Sequence, residues 1–485
     1  MKALLMVLSV LLPIALALVW RFSHLEGKRL SRATVLTVCV GACLAALAAL
    51  LPLEGEISLR WTDMLTLSLR VDGVSRVWLL LIAVIWPGVA LYATEYLEHD
   101  PNPGRFFLFY TITQGILHGL AMSGNLVTFY MFYEAMTLLT VPLVLHNMDK
   151  EAVAASIKYL IYSVIGASAA LIGIFFVGAV GGTGDFSAGV LTAEQLAGKE
   201  GLAMGVFMAM LVGFGVKAGM FPMHGWLPTA HPVAPAPASA VLSGVITKMG
   251  VLGVIRVLYS IAGVERLRGT WVQMALLGLT TLTILMGSLL ALKEKKLKKR
   301  LAYSSVSQVS YVLFGLFTMT EIGFVGAVLH VIFHSLMKNT LFMSAGSIIH
   351  KTEKTYVYEM DGLGRRMPWT YAFFTVASLG LVGIPPTGGF ISKWNLAQGA
   401  LATGLSISWI GPTVLLISAI LTAAYLFTVV IKGCFPGEDV KPEPNCEAGI
   451  RMLAPMAVFA ALIVLLGVFS GPIVSYLETL ASTLL

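Results

Sequence analysis

The 485-residue sequence contains few charged residues for its length. Asp, Glu, Lys and Arg make up 12% of it, whereas 57% of the residues are hydrophobic. A soluble globular protein has about 25% charged residues, so this chain lacks the charge needed to cover a water-exposed surface. The composition excludes a soluble globular protein and indicates an integral membrane protein.

Cysteine is also scarce, with four residues in the whole sequence: Cys39, Cys43, Cys434 and Cys446. They form no CxxC pair, and no histidine stands near them at the spacing of a metal site, so the sequence predicts neither a disulfide framework nor a zinc site. The formal net charge is +7, but the basic residues are dispersed among short loops. Basic residues in short loops typically set the orientation of a membrane protein, so nucleic acid is not expected as a partner.

Apolar runs bounded by charged residues, proline or glycine predict about fourteen membrane-spanning helices. Two of them are interrupted, the seventh near 217–237 and the twelfth near 383–389. Non-helical backbone at membrane depth is tolerated only where it faces protein or a water-filled cavity, so both breaks indicate an interior path. The predicted spans are 3–20, 34–52, 76–96, 106–122, 125–145, 158–181, 203–222, 238–258, 273–292, 301–319, 322–348, 370–402, 410–431 and 453–476.

The order of the helices predicts an internal repeat. Residues 106–260 and 273–432 each contain five spans, and in both blocks the fourth span is the broken one. Because five is odd, the second block has inverted topology, an architecture found in many secondary transporters. The expected fold is therefore an all-α membrane protein with two inverted five-helix repeats, an N-terminal three-helix segment (1–100) and a C-terminal helix (433–485).

The distribution of lysine and arginine predicts the orientation. Loops after odd-numbered spans hold 20 of the 32 basic residues, and the N-terminus and even loops hold 8. The positive-inside rule then places the odd loops in the cytoplasm and both termini on the outer side of the cell (inner) membrane. The remaining four basic residues lie inside predicted spans and are Lys217, Lys248, Lys338 and Lys393.

These four lysines and Glu134 are the candidate functional residues. A charged side chain at the centre of a membrane helix costs about 2.5–3.5 kcal/mol on insertion scales, so each needs a partner or a function. Glu134 is the one carboxylate predicted near the middle of a span, and Lys217 is its predicted partner. The alternative for Glu134 is an ion pair that only fixes helix packing.

Buried lysine is suited to proton relay because desolvation disfavours its ammonium form, while a neighbouring carboxylate favours it. A change at Glu134 would therefore alter whether Lys217 keeps its proton. Lys248 is placed to receive that proton, and Lys338 and Lys393 to pass it on. For Lys248 and Lys338 the alternative is a side chain that extends to the membrane interface.

His330 and His334 are spaced i,i+4, with Lys338 one turn further along the same helix face. Histidine titrates near neutral pH, which favours a proton path over a zinc site. The pair lacks the glutamate of a metalloprotease motif and a third ligand.

Other polar residues leave two interpretations open. His224 and His231 flank the first break and either cap freed backbone groups or belong to the path, and His118 is a core or path residue. Four polar residues of the tenth span either hold water between the two blocks or pack as small polar side chains. They are Ser304, Ser305, Ser307 and Gln308.

No cofactor or metal is predicted. The stretch 181–184 lacks the Lys-Ser/Thr of a phosphate-binding loop, and no haem or iron–sulfur ligand set is recognisable, so any electron chemistry is expected in partner chains.

The sequence leaves two other classes of protein open: a self-contained enzyme with His224, His231, His330 and His334 as metal ligands, and a structural scaffold. A scaffold would leave the four intramembrane lysines unexplained.

Six motifs contain the intramembrane lysines, the histidine pair and the two helix breaks, and they lie at 215–228, 234–239, 247–250, 301–308, 330–338 and 383–393. With Glu134, they resemble the antiporter-like subunits of respiratory complex I, of Mrp-type sodium/proton antiporters and of membrane-bound hydrogenases. The resemblance implies a proton path made of Glu134, Lys217, Lys248, His330, His334, Lys338 and Lys393.

Because it has lysine at position 393, and because of its length, the chain looks most like the D-type subunit of the Mrp antiporters. The resemblance implies a proton-translocating subunit that assembles with homologous and small hydrophobic membrane subunits. H⁺ is the expected ion, and Na⁺ is a second candidate. A subunit of a complex I-like NADH-quinone oxidoreductase or of a hydrogenase is the alternative.

Overall fold

The computed structural model describes residues 2–52, 55–60, 62, 66–435, 437 and 444–485, and these are mostly helical. The α-helices are α1 (Lys2–Phe22), α2 (Gly27–Leu50), α3 (Gly73–Tyr96), α4 (Pro103–Ala121), α5 (Leu126–Val144), α6 (Lys150–Ala179), α7 (Glu200–Ala218), α8 (Leu227–Val233), α9 (Ala236–Val241), α10 (Thr247–Ile255), α11 (Val264–Leu267), α12 (Trp271–Lys293), α13 (Leu297–Phe317), α14 (Glu321–Thr352), α15 (Leu363–Arg366), α16 (Pro368–Val382), α17 (Gly388–Leu401), α18 (Ile410–Cys434), α19 (Ile450–Val468) and α20 (Gly471–Leu484). The π-helical segment Leu242–Ile246 joins α9 to α10, and a second one, Arg256–Ala262, continues α10, so that Ala236–Ala262 is one helix; Val357–Glu359 is a 3-10 turn.

Eleven helices of the described residues are long and apolar enough to cross a membrane, which confirms a multi-span membrane protein. They are α1, α2, α3, α5, α6, α7, the continuous helix Ala236–Ala262, α12, α14, α18 and α19. Three of the fourteen predicted spans fall outside this group and correspond to α4, α13 and the pair α16 and α17. α4 and α13 carry many polar side chains, and α16 and α17 are short because the chain breaks between them.

Both predicted interruptions are present. α7 ends at Ala218 and is followed by Gly219, whose φ is +85°, and α16 ends at Val382 before Gly383, whose φ is +92°. Glycine adopts this left-handed conformation without a steric penalty and commonly ends helices. The chain becomes helical again at α8 and at α17.

The C-terminal segment differs from the single helix that we expected. α19 ends at Val468, and α20 begins at Gly471 with Pro472 in its first turn. Proline fits the first turn of a helix but cannot continue a preceding one. The apolar run therefore divides into two helices.

A β-hairpin between α2 and α3 was not expected from the sequence. β1 (Glu56–Arg60) pairs antiparallel with β2 (Thr66–Arg70), with Glu56 opposite Arg70. β2 also bonds to the turn before α5, where Arg70 N donates to Met122 O over 2.6 Å and Gly124 N donates to Ser68 O over 2.8 Å. The hairpin thus joins the N-terminal helices to the start of α5.

The two most enclosed helices lie at the centre of the bundle. The apolar window of the Ala236–Ala262 helix is 100% buried inside the structure, and that of α14 is 83% buried. α14 packs against α13, α16, α17 and α19. Most side chains on these two helices are therefore surrounded by protein.

An ion pair connects the start of α3 to the end of the Ala236–Ala262 helix. The Asp72 carboxylate accepts hydrogen bonds from Arg256 Nη1 over 2.5 Å and from Arg256 Nη2 over 3.0 Å. It also accepts from Ser75 N over 2.8 Å and so caps α3. Burial alone would raise the pKa of Asp72, but the charge and hydrogen bonds of Arg256 outweigh it and lower the pKa to about 2.

We expect Asp72→Asn to lower the free energy of unfolding by about 2 kcal/mol, because it removes the charge opposite a buried guanidinium while asparagine keeps the helix cap. A carboxyl with a depressed pKa contributes stability above its unfolded pKa of about 4 and loses it as the pH falls through its folded value. The loss should therefore be equal at pH 6 and pH 8. Thermal unfolding of the purified protein measures it.

Asp149→Asn is the matched control. Asp149 caps α6 through Ala152 N over 2.7 Å and has no ion pair within the described part of the chain. An equal loss in both variants would contradict the prediction.

Candidate functional site

Lys217 lies in the last turn of α7, directly before the first break, and is 1% exposed. Its Nζ donates to Thr137 Oγ1 over 2.8 Å, to Tyr159 OH over 2.8 Å and to Ser163 Oγ over 3.0 Å. These three hydroxyls come from α5 and α6. We call Thr137, Tyr159 and Ser163 the hydroxyl cage.

The hydrogen-bond directions around this cage match an ammonium group. Thr137 donates its own proton to Tyr133 O, and Thr140 donates to a carbonyl of its own helix, so Tyr159 OH donates to Thr140 over 2.7 Å. The lone pairs of Thr137 and Tyr159 are then free to accept from Lys217, which has three donors when protonated. The Tyr159 ring centroid is also 4.4 Å from Nζ, a cation–π distance.

Glu134 lies beside the cage but does not form the direct ion pair that the sequence suggested. Within the described residues, no carboxylate oxygen is within 4.0 Å of Lys217 Nζ, although the two side chains are close enough to interact electrostatically. Glu134 is half-buried, and its Oε1 atom has no hydrogen-bond partner among these residues. The hydroxyl cage separates the two charges because it already occupies the three donors of Lys217.

The other three lysines and two histidines lie together between the Ala236–Ala262 helix, α13, α14 and α17. Lys248 Nζ donates to Ser243 O and to Thr247 Oγ1, the latter over 3.3 Å. Ser243 Oγ is 2.7 Å from Ser305 Oγ of α13. This hydroxyl contact links the Lys248 helix to α13.

Lys338 of α14 bonds to the same turn of α13. Its Nζ donates to Leu301 O over 3.0 Å and to Ser304 Oγ. His334, one turn before Lys338, has no hydrogen-bond partner for either ring nitrogen among the described residues. Four charged or titratable groups act on it electrostatically: Lys248, Lys338, His330 and Lys393.

His330 connects α14 to α13 and α17. Its Nδ1 is 2.9 Å from Ser392 Oγ, and its Nε2 is 3.1 Å from Gln308 Oε1. The imidazole lies between the rings of Tyr311 and His334, with centroid distances of 5.6 and 5.7 Å. His330 and His334 are both fully buried.

Lys393 reaches back from α17 to the second break. Its Nζ donates to Leu381 O over 2.6 Å and to Val382 O over 3.0 Å, the last two residues of α16. Helix C-terminal carbonyls have no partner within the helix and carry partial negative charge, so they suit an ammonium group. The Nζ atom is also 5.1 Å from the centroid of the Tyr311 ring.

The other three histidines singled out in the sequence each have different surroundings. His231 stacks on Phe342 with a centroid distance of 4.7 Å, His118 Nδ1 is 2.9 Å from Ser9 O, and His224 lies in the first break. The hydrogen bond of His118 to Ser9 joins α4 to α1 in the core.

Residues 2–52, 55–60, 62, 66–435, 437 and 444–485 contain no group of three His, Cys, Asp or Glu residues that could hold a metal ion.

The hydroxyl cage and the serines of α13 extend the candidate site beyond the predicted residues. Of the four polar residues with two open interpretations, Ser304, Ser305 and Gln308 contact site residues or their neighbours, whereas Ser307 bonds to Ser288 and Ser418. The cage residues Tyr159 and Ser163 follow Ser156 on one polar face of α6, a pattern that can be read in the sequence. Which lysine that face meets depends on helix packing.

α7, which carries Lys217, and α10, which carries Lys248, pack closely together. A Cβ atom added at Gly250 would be 2.6 Å from Phe214 O, 2.9 Å from Ala218 N and 3.0 Å from Lys217 Cβ. Glycine is therefore required for the two helices to approach this closely. The ammonium groups of Lys217 and Lys248 bind oxygens of different helices.

Comparison with known proteins identifies the family. The membrane-spanning family model described as "NADH:quinone oxidoreductase/Mrp antiporter, TM" matches residues 123–422, more than half of the chain. The chain belongs to this family. All seven candidate residues lie inside the matched region, and a model for the N-terminus of complex I chain 5 matches residues 63–107.

Two relatives illustrate the kinds of complex in which similar chains occur. The N-type subunit of the NADH-quinone oxidoreductase of Desulforudis audaxviator is 30% identical over 431 residues, which is 86% of this chain and 84% of the relative. The D-type subunit of the Na(+)/H(+) antiporter of Bacillus subtilis is 28% identical over 88% of this chain and 85% of its own length. A chain of the Mrp complex from Dietzia sp. has the same fold, with a TM-score of 0.85 at 20% identity over 99% of this chain and 97% of that one.

For this family member we expect Gly250→Ala to lower the free energy of unfolding by about 1–3 kcal/mol, because the added methyl group forces α7 and α10 apart. Gly201→Ala is the control, since no described atom lies within 4 Å of the added Cβ there. Thermal unfolding of the two purified variants tests this. Equal stability of both would contradict the close helix approach.

Proposed function

We propose that the chain is a proton-translocating, antiporter-like subunit of a multisubunit membrane complex, most like the D-type subunit of a sodium/proton antiporter. The observation that carries the proposal is the buried group of Lys248, His330, His334, Lys338 and Lys393. Intramembrane ionisable residues are costly and typically mark ion pathways. Five of them in one interior cluster support proton transfer better than a structural role.

In the proposed mechanism, Glu134 and Lys217 form the coupling pair. The hydroxyl cage holds Lys217 as an ammonium ion, and the charge of Glu134 favours that state. When Glu134 is neutralised or moves away, Lys217 binds its proton less tightly. A proton then leaves toward Lys248, on the helix packed against α7.

The second half of the route runs through the cluster of five residues named above, which we call the Lys248 group: Lys248, His330, His334, Lys338 and Lys393. Lys338 bonds directly to Leu301 O of α13. Lys248 bonds to Ser243 O on its own helix, and the Ser243 hydroxyl contacts Ser305 of α13. His334 lies within electrostatic reach of both lysines, and His330 leads to Ser392, the neighbour of Lys393. Imidazole suits this position because it binds and releases protons near neutral pH.

The proposed partners are other membrane subunits. The relatives named above are subunits of an NADH-quinone oxidoreductase and of a Na(+)/H(+) antiporter, and the fold matches a chain of a multisubunit Mrp complex. By this analogy the chain carries H⁺ and assembles with homologous and small hydrophobic subunits. Na⁺ is the second candidate ion.

We further propose fourteen spans, with two inverted five-helix repeats at 106–260 and 273–432 following the three-helix segment at 1–100. Each repeat carries a left-handed glycine at its break with a proline three residues later, Gly219 with Pro222 and Gly383 with Pro386. This shared local pattern supports a common origin of the two blocks.

The loops after odd-numbered spans contain most of the lysine and arginine residues. By the positive-inside rule, this supports a cytoplasmic location for those loops and an outer location for residues 1 and 485.

The 30% identity to a component of an NADH-quinone oxidoreductase favours one alternative, a proton pump that is powered by redox chemistry in partner chains. The proteins that co-purify with the chain distinguish the two functions. Flavin or iron–sulfur subunits indicate a redox complex or hydrogenase. Several small hydrophobic subunits without cofactors indicate an antiporter.

Lys217→Ala tests the proposed role of the coupling pair. We expect at least a tenfold loss of proton transport by the intact complex in liposomes, because the variant removes the proton-binding amine. A pH-sensitive dye inside the vesicles measures the rate. Lys199→Ala, at the exposed start of the same helix, should leave the rate unchanged; full transport by Lys217→Ala in a normally assembled complex would refute the mechanism.

Tyr159→Phe tests the hydroxyl cage. Loss of one hydrogen bond to a charged group costs about 1.5–3 kcal/mol, so we expect the transport rate to fall at least fivefold and its pH profile to shift. Tyr162→Phe on the same helix removes a hydroxyl outside the cage and serves as control. A cage that only supports folding would lower the amount of complex without shifting the pH profile.

A further inference from the structure

Two cavities join at one end of the second helical block. The first is an apolar groove of about 350 Å³ that follows one face of α12 and is bounded on the other side by the segment before α18. Along α12 it is lined by Met274, Leu277, Gly278, Thr281, Leu282 and Leu285. The second is a cavity of about 360 Å³ with Arg268, Thr320 and Glu321 in its wall. Thr318 and Thr403 line both, so the two cavities adjoin.

The groove has the length of one membrane leaflet. From Met274 to Leu285 the helix rises about 16 Å. The hydrocarbon core of a bilayer is about 30 Å thick, so this is close to half of it. Trp271 and Trp409, at the starts of α12 and α18, are 57% and 61% exposed, and tryptophan is enriched at the membrane–water interface.

These tryptophans indicate the depth of each cavity. The apolar groove extends from the interface into the hydrocarbon region. The polar cavity lies beside the ends of α13 and α17, at headgroup level.

The polar cavity offers one group of each charge. Arg268 Nη2 donates to Met319 O over 2.8 Å, and Nη1 pairs with Glu265, whose side chain is 73% exposed. A guanidinium has five donors and an exposed pair contributes little, so Arg268 keeps capacity for a phosphate. Glu321, in the first turn of α14, supplies a carboxylate to the same cavity.

We propose that the joined cavities bind one phospholipid whose headgroup carries both a phosphate and an ammonium group, as in phosphatidylethanolamine. The phosphate lies at Arg268, and the ammonium group lies at Glu321. One acyl chain follows α12 along the groove. Charge complementarity favours this zwitterionic headgroup over a purely anionic one.

Gly278→Leu tests the proposed binding of the acyl chain in the groove. No described atom lies within 4 Å of a Cβ added at Gly278, so the leucine side chain enters the groove without a clash. The complex purified in mild detergent is analysed by native mass spectrometry for bound lipid. We expect the fraction that retains phosphatidylethanolamine to fall at least fivefold.

Gly205→Leu on α7 is the matched control, because this glycine is also exposed with no described atom within 4 Å of an added Cβ. It should retain lipid as the unmodified chain does. Equal lipid retention by Gly278→Leu and the control would overturn the proposal. Retention of a quinone in place of phospholipid would also overturn it.

Glu321→Gln tests the headgroup half. After delipidation, the complex is placed in nanodiscs that contain equal amounts of phosphatidylethanolamine and phosphatidylglycerol. The unmodified complex should retain the former at least fivefold over the latter, and Glu321→Gln should abolish this preference. Equal retention of both lipids by the unmodified complex would overturn the zwitterionic assignment.

Discussion

Each intramembrane lysine of this chain has to be surrounded by oxygen atoms that the protein itself supplies. An ammonium group removed from water loses several kcal/mol of hydration unless hydrogen bonds replace it. Lys217 receives three hydroxyl oxygens, and Lys393 receives two main-chain carbonyls. The packing of α5, α6 and α7, and that of α16 against α17, follows from this requirement.

The helix breaks contribute to the same requirement in two ways. A continuous helix uses its carbonyls internally, whereas a helix that ends inside the bundle leaves its last carbonyls free. Lys393 uses this directly, since it bonds to the last two residues of α16. Lys217 lies in the last turn of α7, where the helix dipole is also negative. The Lys393 ammonium group therefore lies at a helix C-terminus and Lys217 belongs to the last turn of a helix, and no salt bridge joins either lysine to a carboxylate among the described residues.

The sequence predicts the parts of this arrangement that depend on local properties. Low charge identifies a membrane protein, glycine and proline locate both breaks, and the titratable residues are visible because charge is so rare in spans. The partners of those residues depend on how neighbouring helices rotate and approach, which no local pattern specifies. Glu134 was therefore expected to contact Lys217, whereas Tyr159 and Ser163 occupy that place. The division between α19 and α20 was missed because the apolar run continues across Phe469 while Pro472 restarts the helix.

The two halves of the candidate path differ in their electrostatics. Lys217 is held by a closed set of hydroxyls beside one carboxylate, so its charge is matched locally. In the Lys248 group, the described residues include no carboxylate hydrogen-bonded to a lysine or histidine, and like charges in a medium of low dielectric repel strongly. A proton that arrives at one member therefore makes it harder for the others to hold theirs, which couples the group into one titrating unit. For the proposed function, the first half retains a proton until Glu134 changes, and the second half passes it on because it cannot accumulate charge.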